Sequence, residues 1–263
     1  MRFRRLLALV SLVLFGALAA IGRAAPPAAA ESEPADQPVV VFVHGAWGGA
    51  WQFRKVAPLL EARGFRVYRA TLTGLGERMH LASPNIGLGT HIDDVVNLIL
   101  FEDLHDVFLV GHSYGGMVIT GVADRIPDRI GRLVYLDAFL PIDGDSATSL
   151  GRSAGAALAA KAKDGFIAPW WVRPNKPYPK DVPHPVKTLT DAIHLTNPAA
   201  ARIPGAYILT VEKGKAAEAD DFYAASRRAR DRGWPVLEME GDHNPHWFQP
   251  AATADVLVRA FRP

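Results

Sequence analysis

Val107-Phe108-Leu109-Val110-Gly111-His112-Ser113-Tyr114-Gly115-Gly116 carries the strongest structural signal in the chain. A short apolar run ends at a glycine. A serine follows, and two more glycines lead into an apolar-periodic segment. That order reads as strand, sharp turn and helix, with one hydroxyl at the apex. Gly-x-Ser-x-Gly in this setting is a nucleophile elbow. The turn strains the serine backbone and lifts its hydroxyl above the strand ends. Gly111 and Gly115 flank the turn because a side chain at either would meet the neighbouring strand or helix. The Tyr114 N–H falls at the start of the following helix, placed to donate to a developing oxyanion.

Working outward, apolar runs alternate with helical spacings. Val39 to Val43 is a continuous β-branched and aromatic run, the signature of a strand buried on both faces. Trp51 to Ala62 has helical spacing, and Phe65 to Leu72 reads as the next strand. Thr90 is expected to cap a helix whose buried face is Ile92, Val95, Val96 and Ile99. Beyond the elbow, strands are expected at Arg132 to Phe139, Ala206 to Val211 and about 235–240. Helices are expected at about 219–232 and 247–261. The alternation predicts an α/β fold: a mostly parallel sheet with helices on both faces. Residues 141–204 break the pattern with many prolines and the pair Trp170-Trp171, and read as an inserted helical lid. Ligands of such sheets bind at the carboxyl ends of the strands. His44, Ser113, Asp137, Glu212 and His243 all fall there.

A serine hydroxyl needs a base to take its proton, and the base needs a carboxylate to orient it. Gly241-Asp242-His243 follows the last strand, and His243 is the expected base. His246, in the first turn of the last helix, is its rival, or else lines or caps the pocket. In the chain order Ser, Asp/Glu, His, the carboxylate lies between 113 and 243 at a strand end. Glu212 is the first choice and Asp137 the alternative. Asp220 and Asp221 read as helix N-terminal residues. The second oxyanion donor is expected from the loop after the first strand, at the Ala46 amide. His44 is expected to shape that loop, and His112 to be packed away from the cleft. Trp47, Trp170, Trp171 and Trp247 are candidates for an apolar substrate pocket. No His-x-x-x-His pair shares a helix face with a carboxylate, so nothing points to a metal.

Composition bounds the rest. The chain has 263 residues and no cysteine, which excludes disulfides, thiolate metal sites and a cysteine nucleophile. Arg2, Arg4 and Arg5 precede an uncharged apolar run from Leu6 to Ile21, followed by Gly22-Arg23-Ala24-Ala25-Pro26. Residues 1–24 therefore read as a secretory signal peptide, with an uncleaved anchor as the alternative. The expected location is secreted or periplasmic. Residues 25–37 read as a disordered leader and 38–263 as the folded domain. Of 29 basic residues, four lie in the first 24 positions, leaving 25 against 27 acidic ones. No broad basic field remains to suggest nucleic acid.

Four pieces together carry a resemblance: His44-Gly45-Ala46-Trp47-Gly48-Gly49-Ala50-Trp51, Thr71-Leu72-Thr73-Gly74-Leu75-Gly76-Glu77-Arg78, Gly111 to Met117, and Gly241-Asp242-His243. The chain resembles the α/β-hydrolase superfamily, in particular its plant methylesterase and hydroxynitrile lyase branch and bacterial serine-esterase relatives. The resemblance implies a Ser-His-acid triad, an oxyanion hole from the Ala46 and Tyr114 amides, a small-molecule ester substrate, and no cofactor. That branch usually has an aspartate where this chain reads Val211-Glu212-Lys213-Gly214. Its lyases carry a threonine and a lysine where this chain has Gly45 and Asn244, which favours hydrolysis. An amidase or C–C bond hydrolase would use the same residues, and a non-catalytic ligand-binding member of the fold is the alternative of a different kind. Oligomeric state leaves no mark in the sequence.

Overall fold

A computed structural model describes residues 37–262. The expected signal peptide, and all of the expected leader except Gln37, lie outside the described residues. In chain order the elements are β1 (Val39–Val43), α1 (Ala57–Glu61), β2 (Arg66–Ala70), α2 (Leu88–Phe101), β3 (Val107–Ser113), α3 (Gly115–Arg125) and β4 (Ile130–Ala138). An excursion follows with α4 (Ala147–Leu150), α5 (Arg152–Ala159), β5 (Phe166–Ile167), β6 (His184–Pro185) and α6 (Lys187–Thr190). The chain then returns through β7 (Gly205–Val211), α7 (Tyr223–Asp231), β8 (Val236–Glu240), α8 (Pro245–Phe248) and α9 (Pro250–Ala260).

Six strands form one sheet in the order β2-β1-β3-β4-β7-β8, and each neighbouring pair is parallel. The chain runs outward from β1 to β2, then crosses back to β3 and continues in the other direction. The reversal lies between β1 and β3, and in sheets of this kind ligands bind outside the carboxyl ends of the strands at that point. Period-two alternation explains how both faces are buried. Val39, Val41 and Val43 of β1 pack with Ile92, Val95 and Met117 of α2 and α3. Val40 and Phe42 pack with Leu60 of α1 and Ala254 and Leu257 of α9 on the opposite face. Fully burying a side chain of this size contributes about 1.5–3 kcal/mol, so these two layers hold the strand ends that carry the site.

Four local expectations need correction. The segment from Trp51 is not one helix: a 3-10 turn at Ala50–Phe53 precedes α1. Pro58 has no N–H and fits only a first turn, so a new helix starts just before it. Thr90 is not the cap of α2, which begins at Leu88 after Gly87. The Leu88 amide instead donates to Asp191 Oδ2 of the excursion at 3.1 Å. The final helix is likewise broken, into α8 and α9, at Pro250. The excursion is less helical than expected. Six prolines between 169 and 185 interrupt it, leaving three short helices and the two-stranded antiparallel ribbon β5-β6.

Candidate active site

Ser113 ends β3 with φ +54°, in the left-handed region that a serine rarely occupies. The glycines around it explain how the turn closes. A Cβ on Gly111 would lie 2.7 Å from the Gly115 carbonyl oxygen, and one on Gly115 would lie 2.5 Å from the Val43 carbonyl oxygen. Tyr114 is the N-cap of α3, so the helix offers its N–H no acceptor. The loop after β1 packs directly on this elbow. A Cβ on Gly45 would lie 3.1 Å from the Ser113 Cβ, and Ala46 follows it.

His44 is buried and bridges two loops. Its Nδ1–H donates to the Gly45 carbonyl at 2.8 Å, and its Nε2 accepts from the Leu72 amide at 3.1 Å. Burial holds its pKa down to about 4, so it is neutral and structural. Trp47 comes next, with φ +61°. Its amide donates to His184 Nδ1 at 3.1 Å, its indole Nε1 to the Ile167 carbonyl at 2.9 Å, and its carbonyl accepts from the Val182 amide at 2.9 Å. One residue thus ties the β1 loop to the excursion at three points.

The carboxylate beside His243 is Asp137. His243 Nδ1 donates to Asp137 Oδ2 at 2.7 Å, and Asp137 Oδ1 accepts from the Thr210 amide at 3.1 Å. Asp137 reaches this position through a bulge. The β3–β4 register passes from His112 opposite Leu136 to Ser113 opposite Ala138, so Asp137 is the extra residue, at φ +45°. A bulge re-aims a side chain at the end of a strand. Tyr207 clamps it from β7, its hydroxyl donating to the Ala138 carbonyl at 2.6 Å and accepting from the Ala138 amide at 3.0 Å. Glu212, the first expectation, lies elsewhere. It is half exposed and pairs with Lys215 at 2.6 Å, in the polar turn after β7.

His243 is tied to the elbow through its neighbour. The buried His112 donates from Nε2 to the His243 carbonyl at 2.7 Å, and the two rings lie 4.6 Å apart. The Phe222 ring stacks on His243 at 5.0 Å with 3° between planes. With Nδ1 committed to Asp137, Nε2 is the nitrogen left for proton transfer. Asp220, read from sequence as a helix N-terminal residue, accepts from the Phe222 amide at 2.8 Å and so fixes that stacking turn. Burial first, and the negative charge of Asp137 second, push its pKa up to about 6.

His246 is buried between Phe53 and His112, with ring centroids at 4.8 and 4.4 Å. Trp247 packs on Trp51 under Lys55, on the same side. Trp170 and Trp171 surround Trp47 from the excursion, with centroids at 6.4 and 5.0 Å. The sequence reading missed a buried polar group beneath them. Tyr114 O–H donates to His91 Nδ1 at 3.0 Å, His91 Nε2–H donates to the Thr73 carbonyl, and His184 Nε2–H donates to Thr188 at 2.6 Å. Only fold topology brings those positions together, so no local pattern marks them.

A family model described as alpha/beta hydrolase matches residues 40–256. The chain belongs to the alpha/beta hydrolase family. Its relatives are the methylesterase branch and bacterial esterases. It is 58% identical to a "Carbendazim hydrolyzing esterase" of Nocardioides over 42% of this chain and 46% of that protein. It is 30% identical to a "Pheophorbidase" of Raphanus sativus over 86% of this chain and 95% of the relative. Among solved structures, an extracellular alpha/beta-hydrolase from a Paenibacillus species superposes with a TM-score of 0.72 at 25% identity, over 86% of this chain and 100% of that one. That structure is described as sharing structural and functional homology with tobacco salicylic acid binding protein 2.

Proposed function

We propose that this alpha/beta hydrolase cleaves a small carboxylic ester through an acyl-enzyme intermediate. The observation that carries the reading is the 2.7 Å His243–Asp137 bond beside an elbow serine held at φ +54°. In this mechanism Ser113 Oγ attacks the acyl carbon while His243 Nε2 takes its proton. Asp137 holds the imidazole in the Nδ1–H tautomer and stabilises the imidazolium that forms. The oxyanion of the tetrahedral intermediate rests against the Ala46 and Tyr114 amides; one such donor is worth about 3–4 kcal/mol in comparable sites. His243 then returns the proton to the leaving alcohol and activates water to release the acid. Relatives named as esterases support an ester as substrate.

An amidase would share these residues, and no observation here favours it. Export is part of the proposal and rests on Arg2, Arg4, Arg5 and the apolar run to Ile21. Turnover of a short p-nitrophenyl ester series tests the mechanism, with Ser113→Ala, Asp137→Asn and Glu212→Gln alongside. Loss in the first two variants and retention in the third supports it. Activity that survives Ser113→Ala overturns it.

A further inference from the structure

Large apolar side chains exposed to solvent concentrate on one part of the surface. Trp170, Trp171 and Tyr178 of the excursion are 60%, 47% and 68% exposed. Met79 and Leu81, in the turn after β2, are also exposed. The Tyr178 hydroxyl reaches Met79 Sδ at 3.5 Å, which joins the two segments into one face. Trp171 satisfies its indole N–H on Asp181 at 2.8 Å, so it is ring surface that is presented to water. The free face of a folded chain seldom carries a cluster of this size without a use.

Charge indicates what it meets. Residues 161–181 hold five cations (Lys161, Lys163, Arg173, Lys176 and Lys180) against two carboxylates, Asp164 and the Asp181 that is bonded to Trp171. The chain beyond residue 24 is slightly acidic as a whole, so this is a local reversal of sign. Two of the cations lie over the exposed rings: Lys161 Nζ is 4.1 Å from the Trp170 centroid and Lys180 Nζ is 4.9 Å from that of Tyr178. Indole and phenol rings set among long basic side chains suit the boundary between anionic headgroups and acyl chains. There the rings sit at headgroup level while lysine stems lie along them and keep their charge in water. A second copy of this chain would set net positive charge against net positive charge.

We infer that this aromatic and basic face docks on an anionic lipid–water interface. The docking face adjoins the site, because Trp47 of the β1 loop is in edge contact with both Trp170 and Trp171. The interface would thus lie over the loop that carries Ala46. This inference needs only the surface and does not rest on the ester reading.

The test is tryptophan quenching by vesicles of brominated phosphatidylglycerol, with brominated phosphatidylcholine as the zwitterionic arm. The full chain is used throughout; no tryptophan precedes Trp47, and any vesicle binding through the apolar N-terminal run is common to every variant. Quenching on the anionic vesicles is expected to fall with added salt, and the component that disappears in Trp170→Phe/Trp171→Phe assigns the contact to those two rings rather than to the other tryptophans. Arg173→Glu/Lys176→Glu changes only exposed side chains, and is expected to weaken partitioning by roughly tenfold or more. Absence of quenching on anionic vesicles overturns the inference, as does equal quenching in both arms unmoved by the charge reversal. Two other outcomes also overturn it. One is unchanged partitioning with a raised KM for a soluble ester, which makes the face a pocket mouth. The other is a dimer that Trp170→Ala dissolves, which makes it a contact between copies.

Discussion

Lowering the pH from 7 to 5 is expected to unfold this protein, and the buried histidines set the size of the effect. Among the described residues, His44, His91, His112, His184 and His246 are all buried. Desolvation is the main cause holding each in its neutral form, with pKa values down to about 4 for His44 and His91 and about 3 for His246. Hydrogen bonding agrees for three of them. His44 Nε2, His91 Nδ1 and His184 Nδ1 each accept, from the Leu72 amide, the Tyr114 hydroxyl and the Trp47 amide. A proton on the His44 or His184 nitrogen would face a backbone N–H, and one on His91 Nδ1 would require the Tyr114 hydroxyl to turn and accept. In the unfolded chain the same rings take a proton near pH 6.5, so below that pH the unfolded state binds more protons and stability falls. Each histidine costs about 1.4 kcal/mol per pH unit between 6.5 and its folded value, or about 3 kcal/mol in all for a shift from 6.5 to 4. At pH 5.5 the three groups with those values remove roughly 4 kcal/mol, and His112 and His184 act in the same direction, against a typical total stability of about 5–15 kcal/mol. Asp220 works in the opposite direction. Its raised pKa means the folded state takes up a proton near pH 6, which offsets part of the loss. Urea unfolding at pH 7.5, 6.5, 6.0 and 5.5 measures the slope. His246→Phe, which keeps a ring against Phe53, should reduce the loss over this range. A free energy of unfolding that stays flat within about 1 kcal/mol from pH 7.5 to 5.5 refutes the reasoning.

Three further outcomes follow from the site geometry. Asp137→Asn is expected to lower kcat by roughly a thousandfold or more, by analogy with other triads, while Glu212→Gln stays within about twofold; steady-state kinetics on one ester compares them. His112→Phe removes the donor that holds the His243 carbonyl. Its kcat should fall by about 10–100-fold, the scale of a small misplacement of a catalytic group, and chemical shifts of a labelled His243 report the same displacement. Tyr207→Phe leaves the Ala138 amide and carbonyl without the hydroxyl they share. A destabilisation of about 1–3 kcal/mol in urea melts is expected, with kcat falling too because the Asp137 bulge loosens.

The centre of the sheet was legible in the sequence because β1, β3, β4 and β7 are buried on both faces. Val39–Val43 and Val107–Val110 leave a continuous apolar record that a half-exposed strand would not. Ser113 was legible because an elbow requires glycines at fixed offsets, where a Cβ would meet backbone atoms at under 3 Å. The partner of His243 was less so. Asp137 depends on a one-residue bulge, and a bulge without glycine has no composition of its own. Glu212 had position in its favour, but Lys213, Gly214 and Lys215 around it are the composition of a solvated turn. The excursion was readable as a break in the alternation. Its contacts were not, since the three bonds of Trp47 join positions more than 100 residues apart.

In the proposed mechanism Ser113 is a nucleophile driven by the His243–Asp137 pair. Reaction with a fluorophosphonate, followed by peptide mass mapping, tests it most directly. One covalent adduct is expected on Ser113, formed quickly by the native chain, greatly slowed in His243→Ala and Asp137→Asn, and at native rate in Glu212→Gln. An unlabelled Ser113 in the native chain, or labelling indifferent to His243, contradicts it.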